Sequence, residues 1–241
     1  MPLLSPPSFA RFRDLAPADV NVDLQIHTDQ TDGEASVEQV LAAAAERGLA
    51  AIAFTEHVRY STDWFDGFAA RIRRESQRFP GLDTFVGCEA KALDDRGGFD
   101  CPRSILDACD IVLGSVHRLP DGKGGFLRFE EMPPDELAEM ECEYALGLMR
   151  SAPIHVLAHP GGMYQRHFGV YPEPLFRRMM EVSEQTGVAV EINSSYLRDV
   201  DAFLRLCQEL NPYVSVGSDA HRLDELGRCR DTLLRTPWFT A

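Results

Sequence analysis

Short runs of apolar and β-branched residues alternate along the chain with longer stretches in which apolar residues recur every three or four positions. The first pattern predicts buried strands, the second helices with one face against a core. Strands are predicted at Val20–Ile26, Ala50–Thr55, Thr84–Cys88, Ile111–Gly114, Ile154–Ala158, Val188–Ile192 and Val214–Gly217. Helices are predicted at Val37–Arg47, Phe68–Phe79, Pro134–Arg150, Pro174–Thr186 and Val200–Leu210. Local punctuation agrees: Ser36 stands as an N-cap with Gln39 three residues on, and Gly48 and Gly187 follow the last turns of two helices. A repeated β-then-α order implies a parallel sheet. Seven such units fit a (β/α) barrel just short of eight, and an open doubly wound sheet fits the same pattern. No internal repeat, low-complexity tract or long linker divides the chain. Residues 1–20, with four prolines, read as an N-terminal extension to one α/β domain over 21–241.

Composition narrows the possible partners. The chain has 38 acidic and 24 basic side chains, a formal net charge of −14. That surplus repels a polyanion unless a local basic stripe reverses the field, so nucleic acid is disfavoured. Apolar runs fall far short of the roughly 20 residues of a membrane helix, which disfavours a membrane partner. The opening Met1-Pro-Leu-Leu-Ser-Pro-Pro lacks the basic and apolar regions of a secretory signal. Cys88, Cys101, Cys109, Cys142, Cys207 and Cys229 show no C-x-x-C spacing and read as reduced thiols, so a cytoplasmic location is expected.

Polar residues at the strand ends point to chemistry. His27 ends the first strand, Glu56 and His57 follow the second, Glu89 the third, His117 lies just past Ile111–Gly114, His159 closes the fifth, and Asp219 and His221 follow the last. In a parallel barrel all strand C-termini lie on one face, so these residues converge. Imidazole and carboxylate are ordinary ligands of zinc, manganese and iron, and a shared carboxylate can bridge two cations. A lone histidine after a strand is more often hydrogen-bonded than ligating. Recurrence at strand after strand is what that bland account leaves unexplained. His155, inside a strand, and His167, in a loop, carry no such signal.

The segments Asp23-Leu-Gln-Ile-His-Thr with Thr31-Asp-Gly, Phe54-Thr-Glu-His, Gly87-Cys-Glu, Gly114-Ser-Val-His, Ala158-His-Pro and Gly217-Ser-Asp-Ala-His resemble, in order, the motifs of the PHP (polymerase and histidinol phosphatase) superfamily. The Thr-Glu-His and Gly-Ser-Val-His variants look most like its histidinol-phosphatase branch. The resemblance covers about residues 21 to 222. It implies a distorted (β/α)7 barrel, a PHP-type TIM-like fold over 21–241, with two or three Zn, Mn or Fe ions at the C-terminal face. It also implies the ligands: His27, Glu89 and Asp219, with Gln25 where most members have histidine, for the first metal; Glu89 as a bridge with His117 and His159 for the second; Asp32, His57 and His221 for the third. Glu56 stands behind His57 as a supporting residue. A neutral amide is the poorer donor, so Gln25 is the departure from the pattern that matters.

The function implied is that of a hydrolase acting on phosphoric ester bonds: metal-dependent cleavage of a small phosphate monoester, like a histidinol phosphatase. The expected nucleophile is a hydroxide shared between two cations, with Glu89, His117 and His159 around the reacting centre. Arg118, Arg166, Lys91 and Arg222 are the candidates for gripping the phosphate, because they follow or adjoin the motifs. Tyr60, Trp64, Phe65, Tyr164 and Tyr196 can form a substrate wall or pack the rim. Two other functions compete: a phosphodiesterase or exonuclease like the PHP modules of DNA polymerases, and a degenerate, non-catalytic PHP module. The first lacks a concentrated basic groove; the second rests on Gln25 alone.

Overall fold

The computed structural model describes residues 9–239. Its seven strands are β1 (Val22–Ile26), β2 (Ala51–His57), β3 (Asp83–Lys91), β4 (Ile111–Ser115), β5 (Val156–Leu157), β6 (Ala189–Asn193) and β7 (Val214–Gly217). They pair in sequence order, every pairing parallel. The circle closes just beyond the last ladder, where the His27 N–H donates to Ala220 O at 2.9 Å and the Ala220 N–H to Gln25 O at 3.2 Å. This is the seven-stranded barrel, not the open sheet. Asp23 fastens the seam from outside by accepting the Ser218 and Gly227 N–H groups, each at 2.8 Å.

The helices are α1 (Val37–Glu46), α2 (Phe65–Glu75), α3 (Arg103–Ala108), α4 (Pro134–Ser151), α5 (Gly162–Phe168), α6 (Glu173–Thr186), α7 (Val200–Leu210) and α8 (Arg228–Leu233). Ser36 and Gln39 form the expected reciprocal cap of α1. The outward faces of the strands and the inner faces of the helices make the main core, which includes Ile52, Phe54, Leu146, Met179 and Leu204. A smaller cluster of Leu24, Ala53, Phe85, Ile111, Leu113, Val156, Ala158 and Ala189 fills the barrel interior. These apolar side chains plug its floor and leave the C-terminal mouth to polar residues. No helix among the described residues is long and apolar enough to cross a membrane. All six cysteines are free thiols.

Residues 9–20 lie against the barrel: Arg11 bridges to Tyr213, and Phe12 is buried edge-on to Trp238 and Phe239. The helices α3, α5 and α8 are additions to the predicted set. Each has six or seven residues, too short for amphipathic periodicity to mark.

Candidate metal centre

Alternation along the strands decides which residues reach the mouth. On β3, Phe85 joins the interior cluster and Glu89, four residues on, points the same way, whereas Cys88 packs outward in the main core. On β1 simple alternation would fail, because Leu24 already points inward. A bulge between Asp23 and Ile26 inserts one residue relative to β2 and turns Gln25 and His27 inward as well. The Ile26 N–H, displaced from the ladder there, donates to Thr55 Oγ1 at 3.1 Å.

Five histidines and three carboxylates meet at this mouth. Their donor atoms form three overlapping groups: His27, Asp32, His57 and His221; His57, Glu89 and His117; and His27, Glu89 and Asp219. His159 completes the assembly, with Nε2 at 3.0 Å from Glu89 Oε1 and 3.3 Å from His117 Nε2. Glu89 is central. Its Oε1 receives His117 and His159 at 3.0 Å each, and its Oε2 lies 3.3 Å from His27 Nε2 and 3.4 Å from His57 Nδ1. Burial alone would raise the Glu89 carboxyl; the imidazoles of His117 and His57 and the hydrogen bonds from His117 and His159 outweigh it and hold it well below the usual range.

The spacing has a specific chemical meaning. Both ring nitrogens of His27 and Asp219 Oδ1 are buried without a hydrogen-bond partner, although His27 Nε2 and Asp219 Oδ1 stand only 3.0 Å apart. Buried polar atoms that approach so closely without bonding are costly as a hydrogen-bonded network. Two donors each about 2.0–2.2 Å from one ion lie at such a separation, so the residues fit divalent metal. The other atoms of these ligands are fixed by the fold. His221 Nδ1 is 2.9 Å from Asp219 O, which leaves Nε2 directed at Asp32. Glu56 accepts the Thr28 N–H and hydroxyl at 2.8 and 2.6 Å and the Thr31 hydroxyl, and so holds the loop that carries Asp32.

Gln25 reaches the cluster through its amide. Its amide nitrogen donates to Glu89 Oε2 at 3.1 Å, and its oxygen, the atom that could ligate, accepts from Asn193 Nδ2 at 3.2 Å. Asn193 also donates to Glu191 Oε2 at 3.1 Å. Glu191 is a buried strand carboxyl that sequence reading passed over. It accepts the His159 N–H at 2.7 Å and holds that residue at φ 29°, a region that non-glycine residues rarely enter. Its signal was a charged residue facing inward in the otherwise apolar run Val188–Ile192. Gly217 is required opposite it, since a Cβ there would lie 2.0 Å from Glu191 Oε1.

A cavity of about 500 Å³ opens above the cluster, and Lys91, Arg118 and Arg166 line it. Arg166 Nη2 donates to Tyr196 Oη at 2.6 Å, and that hydroxyl donates to Asp219 Oδ2 at 2.9 Å. Arg222 is not brought there: its guanidinium is turned to Asp224, with contacts of 3.1 and 3.0 Å. Arg59 and Phe126 line the cavity and were not singled out by sequence. Of the aromatics considered for a substrate wall, Tyr196 is at the cavity, Trp64 and Phe65 pack with Phe68, and Tyr164 packs with Phe168 and Tyr171. His155 is exposed just before β5 and accepts the Val112 N–H at Nδ1, and His167 packs on Phe129.

Arg166 sits on α5, whose N-terminus has no side-chain cap of its own. Glu141 of α4 supplies one, accepting the Met163 and Tyr164 N–H groups at 3.1 and 2.8 Å. Burial pushes its carboxyl up to about 8 from the ordinary 4.5, and the two N–H donors offset this only in part. Between those values the folded protein holds a proton that unfolding releases. Stability therefore falls as pH rises through the window, by up to about 1.4 kcal/mol per pH unit for one group. Glu141→Gln, which cannot titrate, should flatten Tm between pH 5 and pH 8 in calorimetry. An unchanged slope would assign the dependence to another group.

Fold and site together define a closed seven-stranded α/β barrel with a histidine and carboxylate metal centre at the C-terminal ends of its strands. The PHP domain matches residues 23–195, and the chain belongs to that family. A protein of Caldicellulosiruptor bescii named "Probable phosphatase" is 25% identical over 213 residues, which cover 82% of this chain and 78% of that protein. The "DNA polymerase/3'-5' exonuclease PolX" of Bacillus subtilis is 24% identical over 213 residues, 85% of this chain but 35% of that much longer protein. Among solved structures, the histidinol phosphate phosphatase of Lactococcus lactis complexed with zinc, L-histidinol and phosphate superposes with a TM-score of 0.70 at 16% identity, over 89% of this chain and 92% of that one.

Proposed function

We propose that this hydrolase of the phosphoesterase class removes phosphate from a small phosphomonoester, using divalent metal held by His27, Asp32, His57, Glu89, His117, His159, Asp219 and His221. The observation that carries the reading is the convergence of these eight side chains, with buried donor atoms left unbonded, beneath a cavity lined by cationic side chains. The name borne by relatives of similar length supports it, as does the zinc and phosphate bound by a protein of the same fold. Metal bound there supplies a water of lowered pKa and neutralises charge on the phosphoryl oxygens.

The chain's own residues do the rest. Glu89 orders the imidazoles of His117 and His159 through one oxygen and faces His27 and His57 with the other. Gln25 acts as a positioning residue: its amide nitrogen donates to Glu89 Oε2 and its oxygen accepts from Asn193 Nδ2. Arg166 is pinned by the Tyr196 hydroxyl with its remaining N–H groups free for a phosphoryl oxygen, so the fork is oriented before substrate arrives.

Purified protein loaded separately with Mn(II), Fe(II) and Zn(II) should release phosphate from simple monoesters and leave single-stranded oligonucleotides intact. Cleavage of the oligonucleotide in preference would install the exonuclease reading. Absence of both activities, with negligible metal bound after metal-supplemented expression, would leave a non-catalytic module.

A further inference from the structure

We propose that the alcohol part of the phosphomonoester carries a second anionic group, a carboxylate or a second phosphate, received by Arg59, Lys91 and Arg118 around Phe126. This rests on the phosphomonoesterase reading and narrows its substrate class.

Apart from the metal-donor residues, the cavity is lined by Val58, Arg59, Lys91, Arg118, Phe126, Arg166 and Tyr196. Four of these seven are cations and none is a carboxylate, in a chain whose acidic side chains outnumber its basic ones by 38 to 24. Every carboxylate on the cavity wall, Asp32, Glu89 and Asp219, already belongs to the metal centre. An ammonium group on the substrate would thus find no counter-charge and several like charges.

The cations fall into two sets. Arg166 lies over the Tyr196 ring, with Cζ 4.7 Å from its centroid, on the side of His159 and Asp219. One phosphoryl group between the metals and Arg166 accounts for that set. The second set comes from the ends of β2, β3 and β4. Arg118 Cζ and Lys91 Nζ stand 5.3 and 5.6 Å from the Phe126 ring centroid, so one aromatic side chain steadies both. Lys91 is also 3.4 Å from Asp100 Oδ2, whereas Arg59 and Arg118 have no described carboxylate within 4.0 Å. Phe126 itself is 43% exposed, at the end of a short hairpin bridged to Pro120. Unpaired guanidinium groups facing a shared cavity, in a protein with acid to spare, are what recognition of a second anion requires.

The test is calorimetric binding to the metal-loaded protein, with phosphate release followed on the same samples. The probes are glycerol 3-phosphate (no charge beyond the phosphate), phosphoethanolamine (a cation), 3-phosphoglycerate (a carboxylate) and 1,3-propanediol bisphosphate (a second phosphate). One or both anionic probes should bind about ten- to a hundredfold more tightly than glycerol 3-phosphate, as expected of charge-assisted contacts, with phosphoethanolamine weakest. Whichever anionic probe binds better identifies the source of the second charge. In the double variant Arg59→Ala and Arg118→Ala, both exposed side chains, that ratio should collapse to within about threefold. Equal affinity for neutral and anionic probes would overturn the proposal. So would a double variant that weakens all probes alike, since the arginines would then serve the shared phosphoryl group. Selective binding without phosphate release would refute the phosphomonoesterase reading and leave the anion subsite standing; release without selectivity would do the reverse.

Discussion

Replacing Glu89 by alanine is expected to lower kcat/KM for any phosphomonoester substrate at least about a thousandfold, equivalent to roughly 4 kcal/mol of barrier. The size follows from position. One oxygen of Glu89 stands 3.0 Å from both His117 and His159, and the other is within 3.4 Å of His27 and His57. No other side chain in the centre touches four of its histidines, so the substitution undoes more than one group of donors together. It also leaves the Gln25 amide nitrogen without its acceptor. The barrel should survive. Seven backbone pairings hold β3 to β2, Phe85 and Val86 remain in the core, and nothing apolar is removed. Bound metal measured by mass spectrometry should fall along with activity, while circular dichroism stays that of the parent. Glu89→Gln keeps the shape and loses the charge, so it should fail nearly as completely. Full metal content and turnover within about tenfold of the parent would show that Glu89 is not a metal donor.

Much of this centre was legible in the sequence because parallel strands carry their C-terminal residues to one face. Each of His27, His57, Glu89, His117, His159 and Asp219 could be placed by finding the end of an apolar run, without knowing the barrel's dimensions. Residues that act across the barrel were harder to see. Glu191 lies inside a strand rather than after it, and its role depends on the backbone of His159, which is 32 positions earlier. The bulge that aims Gln25 and His27 leaves no mark in Asp23-Leu-Gln-Ile-His, since the extra residue shows only against the register of β2. Adjacency to a motif also misled. Arg222 follows His221 directly, as Arg118 follows His117, yet only Arg118 lines the cavity; Asp224 takes the Arg222 guanidinium. Arg59 was passed over for the converse reason. It lies two positions beyond His57, which in extended chain returns a side chain to the same face.

Stripping the metal should destabilise the protein strongly and reversibly. His27 carries two buried ring nitrogens with no hydrogen-bond partner, and Asp219 Oδ1 is a third such atom. Burying a polar group unsatisfied costs about 1–3 kcal/mol, so the metal-free fold bears a load that bound ions relieve. An ion at a thousand times its dissociation constant adds about 4 kcal/mol to stability. For a chain of this length each kcal/mol moves Tm by roughly 2–4 °C. Dialysis against a strong chelator should therefore lower Tm by about 8–16 °C for one occupied site, and addition of Mn(II) or Zn(II) should restore it. The same treatment of the Glu89→Ala protein should move Tm much less, because fewer ions remain to be lost. That pairing separates specific ligation from a general effect of chelator on an acidic chain, which would depress both proteins equally. If chelation left the parent's Tm unchanged while mass spectrometry confirmed the loss of metal, the unbonded atoms of His27 and Asp219 would have to find partners within the protein alone. The close approach of Asp219 Oδ1 to His27 Nε2, at 3.0 Å, would then be a strained ion pair rather than half of a coordination sphere.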